Sequence, residues 1–296
     1  MGIVQQYQQF YLCHYRTLLW IPLLLCGAAV FLLFVHYQQT GDLMNKDVSL
    51  KGGITATIYT RGAIDPFALS QHLEQTFDDV EVKRLAEFGS SVPLGVIVEI
   101  SELDEGKLKA ALESYFSFPL TDENYSVEMV GSSLGESFYR QMIIAILIAF
   151  LFMGVVVFFL YRSLTPSLAV IGAAFADIII TLAIINLLGV KVSAAGISAL
   201  LLLIGYSVDS DILQTTRMLK RAEGSVEERM FQSMKTTLVM SITTLAALVV
   251  GFVISTSTVI REMFLIMFIG LLVDLVYTYW TNSGILLLYM KRKSHG

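Results

Sequence analysis

Six long apolar stretches dominate the pattern of hydrophobic and polar residues along the chain. Each approaches or exceeds the roughly 20 residues that a helix needs to cross the hydrocarbon core of a bilayer. The first stands alone near the N-terminus, and the other five follow one another closely in the second half. The predicted spans are 18–37, 142–161, 167–188, 192–213, 236–254 and 263–289, of which the last is long enough to tilt.

The first span is predicted to be a permanent anchor. Its apolar core is longer than that of a signal peptide, and it ends in His36-Tyr37-Gln38-Gln39, without the small residues of a cleavage site. We therefore expect 1–17 to be a polar cytoplasmic tail that leads into an uncleaved helix.

The only sizeable soluble segment lies between the first two spans, at 38–141. Alternation of apolar and polar residues predicts strands, and Asp65-Pro66 and Asp104 are typical helix starts. The predicted order is strand 54–59, helix 65–77, strands 80–86 and 94–100, helix 104–116, and strand 125–129. This βαββαβ order is typical of the ferredoxin-like fold. The sequence thus predicts six membrane helices, one plus five, with an α+β domain between the first and second.

Composition supports an integral membrane protein. Hydrophobic residues make up 55% of the chain and charged residues 15%, with a mean hydropathy of +0.68, which excludes an ordinary soluble globule. The charge is uneven, because 38–141 holds 8 Lys/Arg and 17 Asp/Glu whereas the remainder has a small positive balance. An acidic soluble domain is therefore inserted into a weakly basic membrane body.

Loop charge predicts the orientation. With the N-terminus in the cytoplasm, ten Lys/Arg lie in cytoplasmic loops and ends, whereas the short outer loops hold only Lys191 and Arg261. This bias fits the positive-inside rule, so 38–141 is expected outside a cell membrane and both termini inside. The five-helix bundle then covers 142–290, and the basic tail 291–296 can contact anionic lipid.

Acidic side chains within the spans are the candidate functional groups, because a carboxylate at the bilayer centre costs on the order of 2.5–3.5 kcal/mol. Asp209 and Asp211 are two residues apart, so a helix directs them to different faces. We expect at least one of them to line a seam between helices and to exchange protons with water. Alternatively, both lie in the cytoplasmic interface. Lys235 is the nearest candidate cation.

Two further acids, Asp177 and Asp274, lie near the middle of their spans and are expected to face the bundle interior. The alternative role for each is a structural hydrogen bond with a hydroxyl on an adjacent helix. Ser241, Thr243 and Thr244 are possible partners, although such hydroxyls commonly bond to their own helix.

Other features predict structure rather than chemistry. Lys51-Gly52-Gly53 lacks the spacing of a phosphate loop and is expected to form a tight turn where the domain meets the membrane. Cys13 and Cys26 are interpreted as packing residues, and Ser90-Ser91 and Ser132-Ser133 as loops. The histidines have no metal-ligand spacing. We expect no metal, no cofactor, no catalytic residue and no nucleic-acid partner.

Several motifs and the one-plus-five layout resemble the archaeal SecF proteins of the SecD/SecF protein-export family, which are similar to halves of resistance-nodulation-division transporters. The resemblance covers essentially the whole chain. The residues that carry it are Asp47, Gly52 and Gly53 at the start of the outer domain, Gly131 and Gly135 before the second span, and Gly205, Tyr206, Ser207 and Arg217 in and after the fourth.

This resemblance implies an accessory subunit that assists late translocation of secreted polypeptides using the proton-motive force. It also implies a SecD-like membrane partner and contact with the Sec channel and the translocating polypeptide. In bacterial members the key aspartate falls at the position of Ser210, so Asp209 and Asp211 stay alternatives, as do H⁺ and Na⁺. The family has an arginine near the start of the fifth span, where this chain has Lys235.

Two other functions agree less well with the sequence. A small-molecule exporter of the same architecture usually contains two related halves and larger outer domains. An intramembrane aspartyl protease needs a Tyr-Asp step and a Gly-x-Gly-Asp step; here Tyr206 and Asp209 are separated and the second motif is missing.

Overall fold

The structure, a computed structural model, describes residues 3–60, 62, 64–86, 93–220, 224–255 and 257–295. This part of the chain is mostly helical, with one small sheet. The helices are α1 Ile3–Thr40, α2 Val48–Lys51, α3 Pro66–Leu73, α4 Glu105–Phe116, α5 Ser132–Tyr161, α6 Leu164–Leu187, α7 Ala194–Lys220, α8 Val226–Ile254, α9 Thr258–Tyr277 and α10 Ser283–His295, with a π-helix at Thr278–Asn282. The strands are β1 Gly53–Tyr59, β2 Glu81–Ala86, β3 Pro93–Ile100 and β4 Tyr125–Val130.

Five helices in the described residues are long and apolar enough to cross a membrane. They are α1 from Gln6, α5, α6, α7 and α8. The sixth predicted span coincides with α9, the π-helix and α10, which follow one another without a break. The 20 residues of α9 include three charged side chains, Arg261, Glu262 and Asp274.

Several helices extend beyond the apolar stretches that predicted them. The segment from Ile3, expected as a polar tail, is already helical. Ser132 and Ser133 form the first turn of α5, so their assignment to a loop was wrong. Hydropathy marks the part of a helix that lies in hydrocarbon, whereas the helix itself ends where a cap is available. Ser90-Ser91 lies outside the described residues.

The domain between α1 and α5, called the outer domain after its predicted location, contains a four-stranded antiparallel sheet with strand order β2-β3-β1-β4. Alternation along β1 buries Ile54, Ala56 and Ile58 in a core that α3 and α4 share through Leu69, Leu73, Leu108 and Leu112. Asp65 and Asp104 accept hydrogen bonds from backbone N–H groups of α3 and α4 and thereby cap both helices, as predicted.

Glycines permit close backbone contact where the outer domain meets the membrane body. Gly52 has φ +86°, and a Cβ there would lie 2.5 Å from the Cα of Ser132. A Cβ on Gly135 would lie 2.7 Å from the backbone nitrogen of Gly52. Larger residues at either position would force the turn away from α5.

Asp47 forms a second contact between the outer domain and the membrane body. Its side chain accepts from the backbone N–H of Ser49 and caps α2, and its own N–H donates to the carbonyl of Val192 at 3.1 Å. The N–H of Val192 in turn donates to the carbonyl of Asn45 at 2.7 Å. The entry to the outer domain is therefore tied to the loop between α6 and α7.

An ionic contact reinforces this attachment from the side of the sheet. The carboxylate of Asp79 accepts hydrogen bonds from Lys191 at 2.8 Å and from Lys51 and Ser101 at 2.9 Å each. Burial opposes ionisation of Asp79, but these hydrogen bonds outweigh it and hold its pKa well below the usual range. Burial likewise opposes the charge on Lys191, and its bonds to Asp79 and Glu81 raise its pKa above normal.

Candidate functional site

Three carboxylic acids from three helices meet in the interior of the membrane body. Asp177 on α6, Asp211 on α7 and Asp274 on α9 are at most 1% exposed. Small residues on α6 allow the close packing that brings these helices together, because Ala173, Ala174 and Ala176 are all buried. The interior location predicted for Asp177 and Asp274 is therefore observed.

Hydroxyl and amide groups bind the three acids. Ser207 Oγ donates to Asp177 Oδ2 at 2.7 Å, and Asn282 Nδ2 donates to Asp211 Oδ1 at 2.7 Å. Thr278 Oγ1 lies 3.0 Å from Asp211 Oδ1 and 3.1 Å from Asp274 Oδ1. A threonine hydroxyl has one proton and can donate to only one of these oxygens at a time. Both contacts are hydrogen bonds only if one of the two carboxyl groups is itself protonated.

No basic side chain in the described ranges forms an ion pair with Asp177, Asp211 or Asp274. Two of their oxygens, Asp177 Oδ1 and Asp211 Oδ2, are buried without a hydrogen-bond partner among the described residues. Like charges this close in a medium of low polarity repel strongly. The cluster is thus suited to hold protons or to bind a cation.

Asp209 does not join this cluster. It lies on the opposite, exposed face of α7 together with Leu202 and Gly205. The prediction that Asp209 and Asp211 point to different faces is confirmed, and Asp211 is the one that lies between helices.

The structure separates the predicted cation from the acids. Lys235 is exposed on α8. Arg217, in the last turn of α7, donates to the hydroxyl of Thr236 on α8. Neither side chain forms an ion pair with Asp211 within the described part of the chain.

The other motif residues of α7 have distinct surroundings. Ser207 is the donor to Asp177, whereas Tyr206 packs with Leu203, Leu248 and Leu271. Of the hydroxyls considered as partners, Thr243 and Thr244 bond to the Met240 carbonyl of their own helix, as such residues commonly do.

Residues of the π-helix were not identified from the sequence. Thr278 and Asn282 follow Asp274 at intervals of four, a spacing that places side chains on one helix face. That periodicity was the available signal, but uncharged polar residues stand out less in an apolar run than acids do. A π-helix is rare and often occurs at functional sites.

The described residues contain no group of three or more His, Cys, Asp or Glu arranged to hold a metal ion. The hydrogen bonds of the cluster join carboxyl oxygens to hydroxyl groups and one amide, and carboxyl groups can take up and release protons.

The fold and this cluster define a helical membrane protein with an α+β domain between its first two long helices and a buried acidic centre. A family model, "Protein export membrane protein SecD/SecF, C-terminal", matches residues 109–292. The chain is similar to SecF of Pyrococcus furiosus, with 38% identity covering 92% of this chain and 90% of that protein. It is 36% identical to SecF of Methanothermobacter thermautotrophicus, covering 95% and 94%. The chain belongs to the SecD/SecF family of protein-export membrane proteins.

Solved structures show the same fold. The crystal structure of SecDF from Thermus thermophilus, titled a translocon-associated membrane protein, aligns with a TM-score of 0.74 at 22% identity. SecDF in a super-membrane-facing form aligns with a TM-score of 0.63 at 21% identity. These alignments cover 95% and 96% of this chain but only 38% and 39% of the longer SecDF chains.

Proposed function

We propose that this chain is a SecF-like accessory subunit of the Sec export machinery, and that proton uptake and release at Asp177, Asp211 and Asp274 drive its conformational change. The observation that carries the proposal is the cluster itself, with three buried acids, no ion-pair partner in the described residues, and a shared contact at Thr278. A purely structural network would be expected to pair its charges or replace them.

Repulsion between the ionised acids couples their protonation to the packing of the helices. Protonating one acid of such a cluster removes a like charge from a low-dielectric interior, which changes the preferred packing of the helices that contribute the acids. Moving one charge across about 100 mV supplies about 2.3 kcal/mol, so several protons suffice to bias a two-state element.

The proposal requires a complete membrane body. We infer that α9, the π-helix and α10 together form the sixth span, because they continue from Thr258 to His295 and carry one acid of the buried cluster. We also assign the outer domain to the ferredoxin-like fold, which its element order and the strand order β2-β3-β1-β4 support.

Orientation and location follow from charge. The bias of Lys and Arg toward one side supports cytoplasmic termini and an outer domain at 38–141 that lies outside the cell membrane. Motion of the helices would reach this domain through the glycine contact between Gly52 and α5 and through the Val192 backbone bonds.

A SecD-like membrane protein is the expected partner. The longer SecDF chains, of which this chain covers 38–39%, support a second half that completes the assembly. We further propose contact with the Sec channel and with the emerging polypeptide, within the lipid bilayer. The printed description of SecDF as translocon-associated supports this.

Among the candidate residues we assign the central role to Asp211. It contacts both Thr278 and Asn282, whereas Asp209 and Lys235 are exposed and therefore secondary candidates.

Export of a secreted reporter in cells tests this assignment. Asp211→Asn keeps the size and polarity of the side chain but removes its charge, and we expect it to slow export by about tenfold, the effect of losing one coupled step of 1.4 kcal/mol. Asp209→Asn, two residues away on the exposed face, is the matched control and should leave export near normal.

Normal export from Asp211→Asn, at a protein level equal to wild type, would contradict the role of this acid. Dye transport into liposomes by the purified chain, without any translocon, would favour the small-molecule exporter instead.

A further inference from the structure

A continuous run of buried polar side chains leads away from the acid cluster in one direction. Beyond Asp211 on α7 come Gln214 and Thr215, and the facing wall of the π-helix and α10 carries Thr281, Asn282 and Ser283. All five are uncharged and at most 4% exposed. We call these five residues the polar column.

The two walls of the polar column contact each other directly. Asn282 Nδ2 donates to Asp211 at 2.7 Å, and Gln214 Nε2 donates to the hydroxyl of Ser283. The column therefore lies between α7 and the π-helix rather than on separate surfaces.

Several oxygens of the column lack partners in the described part of the chain. They are Gln214 Oε1, Thr215 Oγ1, Thr281 Oγ1 and Asn282 Oδ1, together with Asp211 Oδ2 of the adjacent cluster. Buried polar groups that only hold helices together are normally satisfied by protein, and those that are not are normally satisfied by water. Unpaired acceptors along one seam therefore point to a hydrated path.

The polar column ends at the same level on both walls. One turn beyond Thr215 on α7 lies Met218, and one turn beyond Ser283 on α10 lie Leu286 and Leu287. These side chains are buried together with Tyr11, Met230 and Met234. We call this group the apolar plug. It separates the column from the end of α7 that carries Arg217 and Lys220.

The opposite direction is different. On α7 the buried residues between Gly196 and Ser207 are all apolar, and on α9 the same is true of Ile266 and Leu271. Among the described residues, two buried hydroxyls lie near the cluster on that side, Thr181 one turn from Asp177 on α6 and Tyr206 next to Ser207 on α7, and they do not form a continuous run. The polar seam is thus asymmetric along the membrane normal.

We propose that the polar column is the cytoplasmic half of a hydrated path through which small cations reach and leave the acid cluster, and that the apolar plug closes this path. The direction and the use of the path rest on the proposed function. The path itself is a claim about access of water to named side chains and is tested without measuring export.

The test uses cysteines placed in the column of the full chain, in a background with Cys13→Ser and Cys26→Ala. The probe is a positively charged, membrane-impermeant methanethiosulfonate, applied to inside-out or right-side-out vesicles. Thr215→Cys reports from α7 and Thr281→Cys from the facing wall. Leu200→Cys, on the same helix and equally buried in the apolar half, is the matched control.

We expect Thr215→Cys and Thr281→Cys to react from the cytoplasmic side and Leu200→Cys to react from neither side. Adding Met218→Ala should speed reaction at both column positions by about tenfold, because trimming the plug raises the population of the open form. The Leu200→Cys rate should not change with Met218→Ala.

Reaction of the column cysteines no faster than Leu200→Cys in both backgrounds would overturn the proposal, as would reaction from the outer face only. The two cysteines lie on different walls of the column. If one variant misfolds, the reaction of the other still tests the proposal. If the column reacts as expected while Asp211→Asn exports normally, the path stands and the proton-driven function fails.

Discussion

Single hydroxyl groups determine how the buried acids interact. Thr278 contacts Asp211 and Asp274 from one oxygen, and Ser207 provides the contact to Asp177. Without these groups each carboxyl would lose a hydrogen bond in a buried site, which costs free energy.

Replacing Thr278 by valine keeps the shape of the side chain and removes the hydroxyl. We expect Thr278→Val to destabilise the chain by about 1–3 kcal/mol, the cost of leaving a buried polar group unsatisfied. The thermal unfolding midpoint in detergent measures this loss. Thr278→Ser keeps the hydroxyl, so its midpoint should lie close to that of wild type.

Thr244→Val is the control for this change. Thr244 is partly exposed and bonds only to the Met240 carbonyl of its own helix in the described residues, so loss of its hydroxyl should cost little. Equal midpoints for Thr278→Val and Thr244→Val would contradict the bridging role of Thr278.

At this scale the sequence indicated the acids but not their partners. Asp177, Asp211 and Asp274 were identifiable because a charge in an apolar run is costly. Thr278 and Asn282 were not identifiable, because uncharged polar residues change the hydropathy of an apolar run only slightly. The sequence also did not show which of Asp209 and Asp211 is buried, because that depends on which face of α7 packs against other helices.

Among the secondary-structure elements, the π-helix connects the acid cluster to the N-terminal helix. The hydroxyl of Tyr11, which is fully buried, donates to the carbonyl of Tyr279 at 2.9 Å. The first turns of α1 thus contact the segment that carries Thr278 and Asn282, and they stabilise it.

Tyr11→Phe removes this hydrogen bond while keeping the ring in place. We expect amide hydrogens of 278–283 to exchange about fivefold faster, which corresponds to the loss of about 1 kcal/mol from one hydrogen bond. Hydrogen–deuterium exchange with peptide mass analysis measures this. Tyr37→Phe, exposed near the other end of the same helix, should leave exchange there unchanged.

An unchanged exchange rate in Tyr11→Phe would show that the π-helix holds its geometry without α1. A faster rate spread over all helices would instead indicate general destabilisation.

Element ends were less predictable than element types. The strands began within one residue of expectation because alternation is a local signal, whereas α8 begins at Val226, ten residues before the predicted apolar span. Its start is set by a capping box of Ser225 and Glu228, which hydropathy does not detect. The helix predicted at 65–77 ends at Leu73, where a turn follows.

For the whole molecule, the central question is how the outer domain is held on the membrane body. The expectation that Lys51-Gly52-Gly53 forms a tight turn at this boundary agrees with the contact between Gly52 and Ser132. The bonds of Asp79 to Lys51 and Lys191 were not predictable, because they join residues far apart in sequence across the loop between α6 and α7.

The Asp79 contact has a defined pH dependence. Its hydrogen bonds lower its pKa in the folded chain, so the ionised form stabilises the fold. This contribution is fully present above the ordinary aspartate pKa of about 3.9 and is lost as pH falls below it toward the folded value. The side chain is 35% exposed, so solvent screening limits the effect to about 1 kcal/mol.

Asp79→Asn should therefore lower the thermal unfolding midpoint by a constant amount between pH 5 and pH 8, and the difference from wild type should shrink below about pH 4. High salt should reduce the difference, since the lysines are partly exposed. Asp122→Asn, an exposed change in the same domain, is the control and should have no effect at any pH. A difference from wild type that widens as the pH falls would mean that another group holds the outer domain on the membrane body.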